Sequence, residues 1–139
     1  DYSVKETLVF SCSLSQQITW LKQFNKRNVV EPKRQEDITL SAIIYTDGKV
    51  TLGKMKRDDC QNLQDGNILC DLETVKDVDN SKSAIDISYK ISMNLNRETG
   101  YFNQFIGQRT YQGDYRSAPM LTAMVDKGNG VCTRLEKLF

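Results

Sequence analysis

The chain contains no histidine among its 139 residues. Histidine is the side chain that most often moves protons near neutral pH, and it is the most common metal ligand. Its absence excludes Ser-His and Cys-His nucleophilic sites and the paired histidines of the H-E-x-x-H zinc motif. Glycine-rich phosphate-binding loops are missing from the sequence as well. We therefore predict that the protein is not an enzyme and that it uses no metal and no other cofactor.

Three further features that the sequence lacks limit where the protein is expected to be located and which partners it is expected to bind. Apolar runs stay well below the roughly 18–20 residues that a membrane helix requires, so we expect no transmembrane segment. The net charge is only +1 and no block of lysine or arginine stands out, so nucleic acid is not an expected partner. No asparagine begins an Asn-x-Ser/Thr acceptor, and the chain starts at Asp1 rather than methionine. This predicts the mature form of an exported, bacterial-type precursor whose signal peptide has been removed.

Four cysteines are present, and they are widely scattered: Cys12, Cys60, Cys70 and Cys132. Their spacing matches neither a C-x-x-C redox motif nor a set of zinc ligands, and an even number in a small chain is typical of a disulfide framework. We expect two disulfides and a periplasmic or extracellular location. A cytosolic domain with four reduced, buried cysteines is the alternative.

The pairing of the cysteines is not fixed by their number, because four cysteines allow three connectivities. Residues 64–66 (Gln-Asp-Gly) favour a three-residue hairpin loop, which would place Cys60 directly opposite Cys70. Cys12 and Cys132 would then join the first and last strands, which are neighbours in a closed meander.

Most of the sequence alternates between apolar and polar residues, which is typical of half-buried antiparallel strands. The alternation is clearest over residues 84–95, and Asp47-Gly48 favours a tight turn between strands at 36–46 and 49–56. The last two strands are predicted at 118–126 and 130–138, separated by a hinge at residues 127–130.

One segment departs from this alternation. Ile18, Leu21 and Phe24 recur every three residues, which predicts a short helix near residues 16–27. With about eight antiparallel strands, the fold class is mainly β: an up-and-down barrel or a strongly curved meander. A two-sheet β-sandwich is the alternative. Residues 1–139 are expected to form a single disulfide-tied domain.

Candidate binding residues lie in Ile106–Pro119. Arg109, Tyr111, Tyr115 and Arg116 stand there among glycine and serine, a mixture typical of protein-binding loops. A strand end with ordinary sheet tyrosines is the alternative. A basic run from Lys22 to Arg34 is a second candidate surface, for an acidic partner or an anionic membrane surface. The alternative is the solvated outer face of a helix and loop.

The sequence therefore predicts an exported, non-catalytic protein that binds a protein partner as an inhibitor or immunity-type protein. A small hydrophobic-ligand carrier built on the barrel is the second hypothesis. A histidine-free hydrolase that uses paired carboxylates is the third. The candidate pairs are Asp58 with Asp59, Asp71 with Glu73, and Asp77 with Asp79.

Overall fold

The computed structural model describes residues 3–22, 27–80 and 83–135 of the chain. Antiparallel strands account for most of this part, with one 3₁₀ turn at Arg57–Asp59. The strands are β1 (Val4–Lys22), β2 (Arg27–Val30), β3 (Arg34–Tyr45), β4 (Val50–Leu52), β5 (Cys60–Asn62), β6 (Asn67–Asn80), β7 (Ser83–Asn96), β8 (Tyr101–Tyr111) and β9 (Met120–Arg134).

All the strands belong to one sheet, in the order β4-β3-β1-β9-β8-β7-β6-β5, with β2 paired to the far end of β1. The first and last strands are therefore neighbours, and the two edge strands, β4 and β5, lie next to each other. In the described sheet no ladder of hydrogen bonds joins β4 to β5, so the barrel is nearly closed. The predicted up-and-down barrel is confirmed, and a single continuous sheet replaces the alternative of a two-sheet sandwich.

The core occupies the end of the barrel where β3, β4 and β5 complete the wall. In β1 the even-numbered residues Leu8, Phe10, Cys12 and Leu14 are buried, whereas Ser11 and Ser13 are exposed. This alternation follows from the two-residue repeat of a strand. The same inward face receives the largest fully buried side chains from the other strands: Val50, Leu52, Ile68, Leu95 and Phe102.

Both disulfides have the predicted pairing. Cys12 and Cys132 face each other across β1 and β9, and Cys60 and Cys70 face each other across β5 and β6. Gly66 has φ of 92°, as the predicted hairpin loop requires. No free cysteine remains, so the alternative of four reduced cysteines is wrong.

Two disulfides fit an oxidising environment, either extracellular or periplasmic. Across residues 3–22, 27–80 and 83–135, no helix is both long enough and apolar enough to cross a membrane.

The helix predicted near residues 16–27 is wrong. Residues 16–22 continue β1 and Arg27 begins β2, while residues 23–26 lie outside the described part of the chain. The segment pairs on two sides, with β9 along its length and with β2 at its end. These inter-strand hydrogen bonds outweigh a weak local pattern of period three, because local propensity yields to tertiary pairing.

The predicted hinge at residues 127–130 is also wrong, because β9 runs through it without interruption. A Cβ atom added at Gly130 would lie 2.0 Å from the carbonyl oxygen of Ser13, on the neighbouring strand. The glycine therefore permits a close approach of β9 to β1 and does not end the strand.

Candidate functional site

The segment between β8 and β9 forms an ordered loop on the outer face of the sheet. The amide of Gln112 donates to the carbonyl of Pro119 (3.1 Å), which closes the loop at its base. Inside the loop, the Asp114 carbonyl accepts hydrogen bonds from the amides of Ser117 and Ala118. The Asp114 side chain also accepts from the amide of Arg116 (2.9 Å). Within the loop, the conformation is thus held by backbone hydrogen bonds and by the Asp114 side chain.

Asp86 anchors this loop to the sheet. Its side chain projects from β7 and is only 7% exposed, and its Oδ2 atom accepts a hydrogen bond from the Tyr115 amide (2.9 Å). Asp86 lies opposite Tyr111 in the β7–β8 ladder, so strand register brings the carboxylate under the loop. Because the bond uses the Tyr115 backbone, the Tyr115 side chain can point outward.

The four predicted binding residues, Arg109, Tyr111, Tyr115 and Arg116, lie together on this outer face; we call them the Tyr/Arg surface. Tyr111 and Tyr115 meet edge to face, with ring centroids 6.5 Å apart. The Arg116 guanidinium lies 5.3 Å from the centre of the Tyr115 ring. Arg109, Tyr115 and Arg116 are exposed, whereas Tyr111 is partly buried. The hydrogen bond with the Tyr115 side chain, assisted by nearby negative charge, raises the pKa of Arg116.

A shallow groove of about 360 Å³ continues from this surface along the outer face of β7, β8 and β9. Gly107 lines it between Phe105 and Arg109, and a Cβ atom added at Gly107 would lie 3.2 Å from the Phe105 ring. Lys90 and Glu73 line the same groove, so its charge is mixed. The groove extends the area that a partner could contact beyond the loop itself.

The second predicted surface, the basic run from Lys22 to Arg34, is only partly described. The side chains of residues 22–27 lie outside the described part, and Lys33 and Arg34 are exposed.

Two of the carboxylate pairs considered for hydrolysis are described. Asp58 and Asp59 lie on the 3₁₀ turn, and Asp71 accepts a hydrogen bond from the Ser92 hydroxyl (2.6 Å).

A further feature lies on the opposite, inward face of the sheet, where β1, β7, β8 and β9 extend past the core. Strand register places one set of apolar side chains on this face, and all of them are partly exposed. We call this set the inner apolar face: Ile18, Trp20, Ile87, Tyr89, Ile106 and Met124.

Asp126 interrupts the inner apolar face. It stands between Ile18 of β1 and Ile106 of β8 in the ladders and is only 8% exposed. Its Oδ1 atom is buried and accepts no hydrogen bond from any part of the described chain. Burial raises the pKa of Asp126 above the ordinary 3.8, although the positive charge of Arg34 acts in the opposite direction. A carboxylate in such a place is costly to keep ionised.

Replacing Asp126 by asparagine should therefore stabilise the protein at neutral pH. The folded-state pKa lies above the unfolded value, so the ionised carboxylate costs stability at pH 7, and this cost disappears as the pH falls towards 3.8. We expect the Asp126→Asn variant to melt about 2–4 °C higher at pH 7, a shift equivalent to roughly 1 kcal/mol. Differential scanning calorimetry at pH 7 and pH 3 measures the difference in melting temperature between the variant and the wild type.

The matched control is Asp37→Asn, which changes an exposed aspartate of β3 and should leave the melting temperature nearly unchanged. An Asp126→Asn variant no more stable than the wild type at pH 7 would contradict the prediction. An equal gain at pH 3 would contradict it as well.

Comparison with known protein families, characterised proteins and solved structures found no match for this chain. The fold defines its class: the protein is a disulfide-bonded, barrel-shaped antiparallel β domain.

Proposed function

We propose that this domain is an exported, non-catalytic binding protein that engages a protein partner through the Tyr/Arg surface, as an inhibitor or immunity-type protein. The observation that carries the proposal is the anchoring of the loop by Asp86, which fixes the Tyr115 backbone and leaves its side chain exposed. A rigid aromatic contact loses little conformational entropy on binding, which is why such residues dominate protein interfaces. The two disulfides support a periplasmic or extracellular setting.

The Tyr/Arg surface also has the composition of an interface centre. Tyrosine and arginine are enriched at protein interfaces, and here two of each lie within one ordered patch. The neighbouring groove at Gly107 offers a concave region beside it. Neither feature requires a catalytic group, so the proposal does not depend on the carboxylate pairs considered for hydrolysis.

Tyr115→Ala is the sharpest test of this proposal. The variant keeps the backbone hydrogen bond to Asp86, so the loop should remain in place and the melting temperature should change little. We expect the complex with the partner to weaken by about 2 kcal/mol or more, roughly 30-fold, as for an aromatic hot spot. The partner is first captured on immobilised wild-type domain from the periplasmic or culture fraction of the source cells, and then titrated by calorimetry.

Tyr101→Ala is the matched control. Tyr101 begins β8, the strand that leads into the loop; it is 64% exposed and lies at the opposite end of that strand from the loop. The control should bind with wild-type affinity. Equal binding by Tyr115→Ala and wild type would remove the Tyr/Arg surface from the interface. Failure of the wild-type domain to capture any protein would overturn the proposed function.

A further inference from the structure

The inner apolar face is a partly open surface that the core does not fill. At the disulfide end, inward side chains such as Phe10 and Phe102 are fully buried. Farther from the disulfides, Ile18 and Trp20 of β1 and Met124 of β9 have the same inward register but remain partly exposed. Partly exposed apolar side chains from several neighbouring strands form a surface that can lower its free energy by covering itself with an apolar molecule.

Asp126 gives this surface a chemical preference. Its buried Oδ1 atom accepts no hydrogen bond in the described chain. Its neighbours in the two ladders, Ile18 and Ile106, have apolar side chains that offer no donor. A buried acceptor without a partner costs free energy, and a cationic donor placed beside it would recover that cost. The carboxylate therefore favours a positively charged group over a neutral or a negative one.

We propose that the inner apolar face binds an amphiphilic amine, with its ammonium group against Asp126 and its apolar body against Trp20, Ile18 and Met124. Trp20 is next to Asp126 on the same face, since it pairs with Met124 in the ladder between β1 and β9. An aromatic ring beside a carboxylate is favourable for an ammonium group, because the ring face attracts cations.

The charges around Asp126 agree with this assignment. On the inward face, β1 contributes Gln16 and Ile18 next to Asp126, and β8 contributes Gln104, Ile106 and Gln108, all of them uncharged. The charged groups of β3 that act on Asp126 are Arg34 and Glu36, which are of opposite sign. The side chain of Lys22 lies outside the described part of the chain. Arg34 acts on Asp126 more strongly than Glu36 does, and the formal charges of the three groups together are negative.

This site is independent of the proposed protein interface. The inner apolar face and the Tyr/Arg surface project from opposite sides of the sheet, because Gln108 and Thr110 alternate with Arg109 and Tyr111 along β8. An amine that binds inside therefore leaves the outer surface accessible, and the result of either experiment leaves the other open.

Intrinsic fluorescence offers a direct test, because Trp20 is the only tryptophan of the chain. Octylamine, octanol and octanoate share one apolar chain and differ in charge. We expect octylamine to change the Trp20 emission saturably and to bind at least about tenfold more tightly than octanol, with octanoate weakest. Calorimetric titration of the same three compounds should give the same order.

The Asp126→Asn variant should bind octylamine no more tightly than octanol, while Asp37→Asn, an exposed carboxylate, should retain the wild-type preference. Both variants are checked for wild-type circular dichroism before titration. Equal affinities of octylamine and octanol for the wild type would overturn the proposal. An amine preference that persists in Asp126→Asn would overturn it too.

Discussion

Replacing Cys12 and Cys132 together by alanine is expected to lower the free energy of unfolding by about 5 kcal/mol, on the loop-entropy model. The two residues are 120 positions apart, so their bond closes a loop that includes nearly the whole chain. It also joins β1 to β9, the pair through which the first and last strands complete the barrel. Urea unfolding of the oxidised protein measures the loss.

The matched comparison is the double alanine variant of Cys60 and Cys70. Those residues are 10 positions apart, and the same model gives about 3 kcal/mol for their bond. All four cysteines are buried, so the loss of packed sulfur is comparable in the two variants and the loop length distinguishes them. Equal losses, or a larger loss for the short loop, would contradict the prediction that the bond closing the longer loop stabilises the fold more.

The architecture was predictable because strand alternation and the cysteine positions agree with each other. A hairpin loop at residues 64–66 fixes the register that faces Cys60 with Cys70, and this leaves only one partner for Cys12. Once Cys12 pairs with Cys132, the first and last strands must be neighbours. Each inference depends on local geometry that a sequence carries.

The two errors have a common physical cause. A short run with period three at Ile18, Leu21 and Phe24 predicted a helix, and the glycines at residues 128 and 130 predicted a hinge. Both segments belong to the long β1–β9 ladder, where pairing with a distant strand decides the conformation. A single sequence contains the local preference but not the partner strand.

The residues of the candidate sites also fall into two groups: those that residue type identifies and those that only strand pairing identifies. The composition of residues 106–119 is enough to propose Tyr115 and Arg116 as candidates, since tyrosine and arginine are recognisable by type. Asp86 and Asp126 were not identified, because their importance depends on what faces them across the sheet. An acidic residue at an inward position of a strand was the available sign for Asp126. Asp126 can be recognised as inward-facing only if β9 is known to continue through Gly128 and Gly130.

At Gly100 a single added methyl group should be strongly destabilising, because backbone strain and a backbone clash combine there. The residue has φ of 80° at the turn between β7 and β8, and its carbonyl accepts a hydrogen bond from the Cys132 amide. A Cβ atom there would lie 2.1 Å from the carbonyl oxygen of Cys132, which is backbone and cannot rotate away. We expect Gly100→Ala to lose about 4 kcal/mol, in the range of severe core substitutions.

Gly48→Ala separates the two causes of that loss. Gly48 has a similar φ of 87°, but nothing lies within 4 Å of a Cβ atom added there. Its variant should lose only the strain of the left-handed conformation, about 1–2 kcal/mol. The difference between the two variants, measured by urea unfolding, is then the cost of pushing the β7–β8 turn away from the Cys12–Cys132 bridge. Similar losses would mean that the turn moves aside freely, and that the packing of Gly100 against Cys132 does not hold this end of the barrel together.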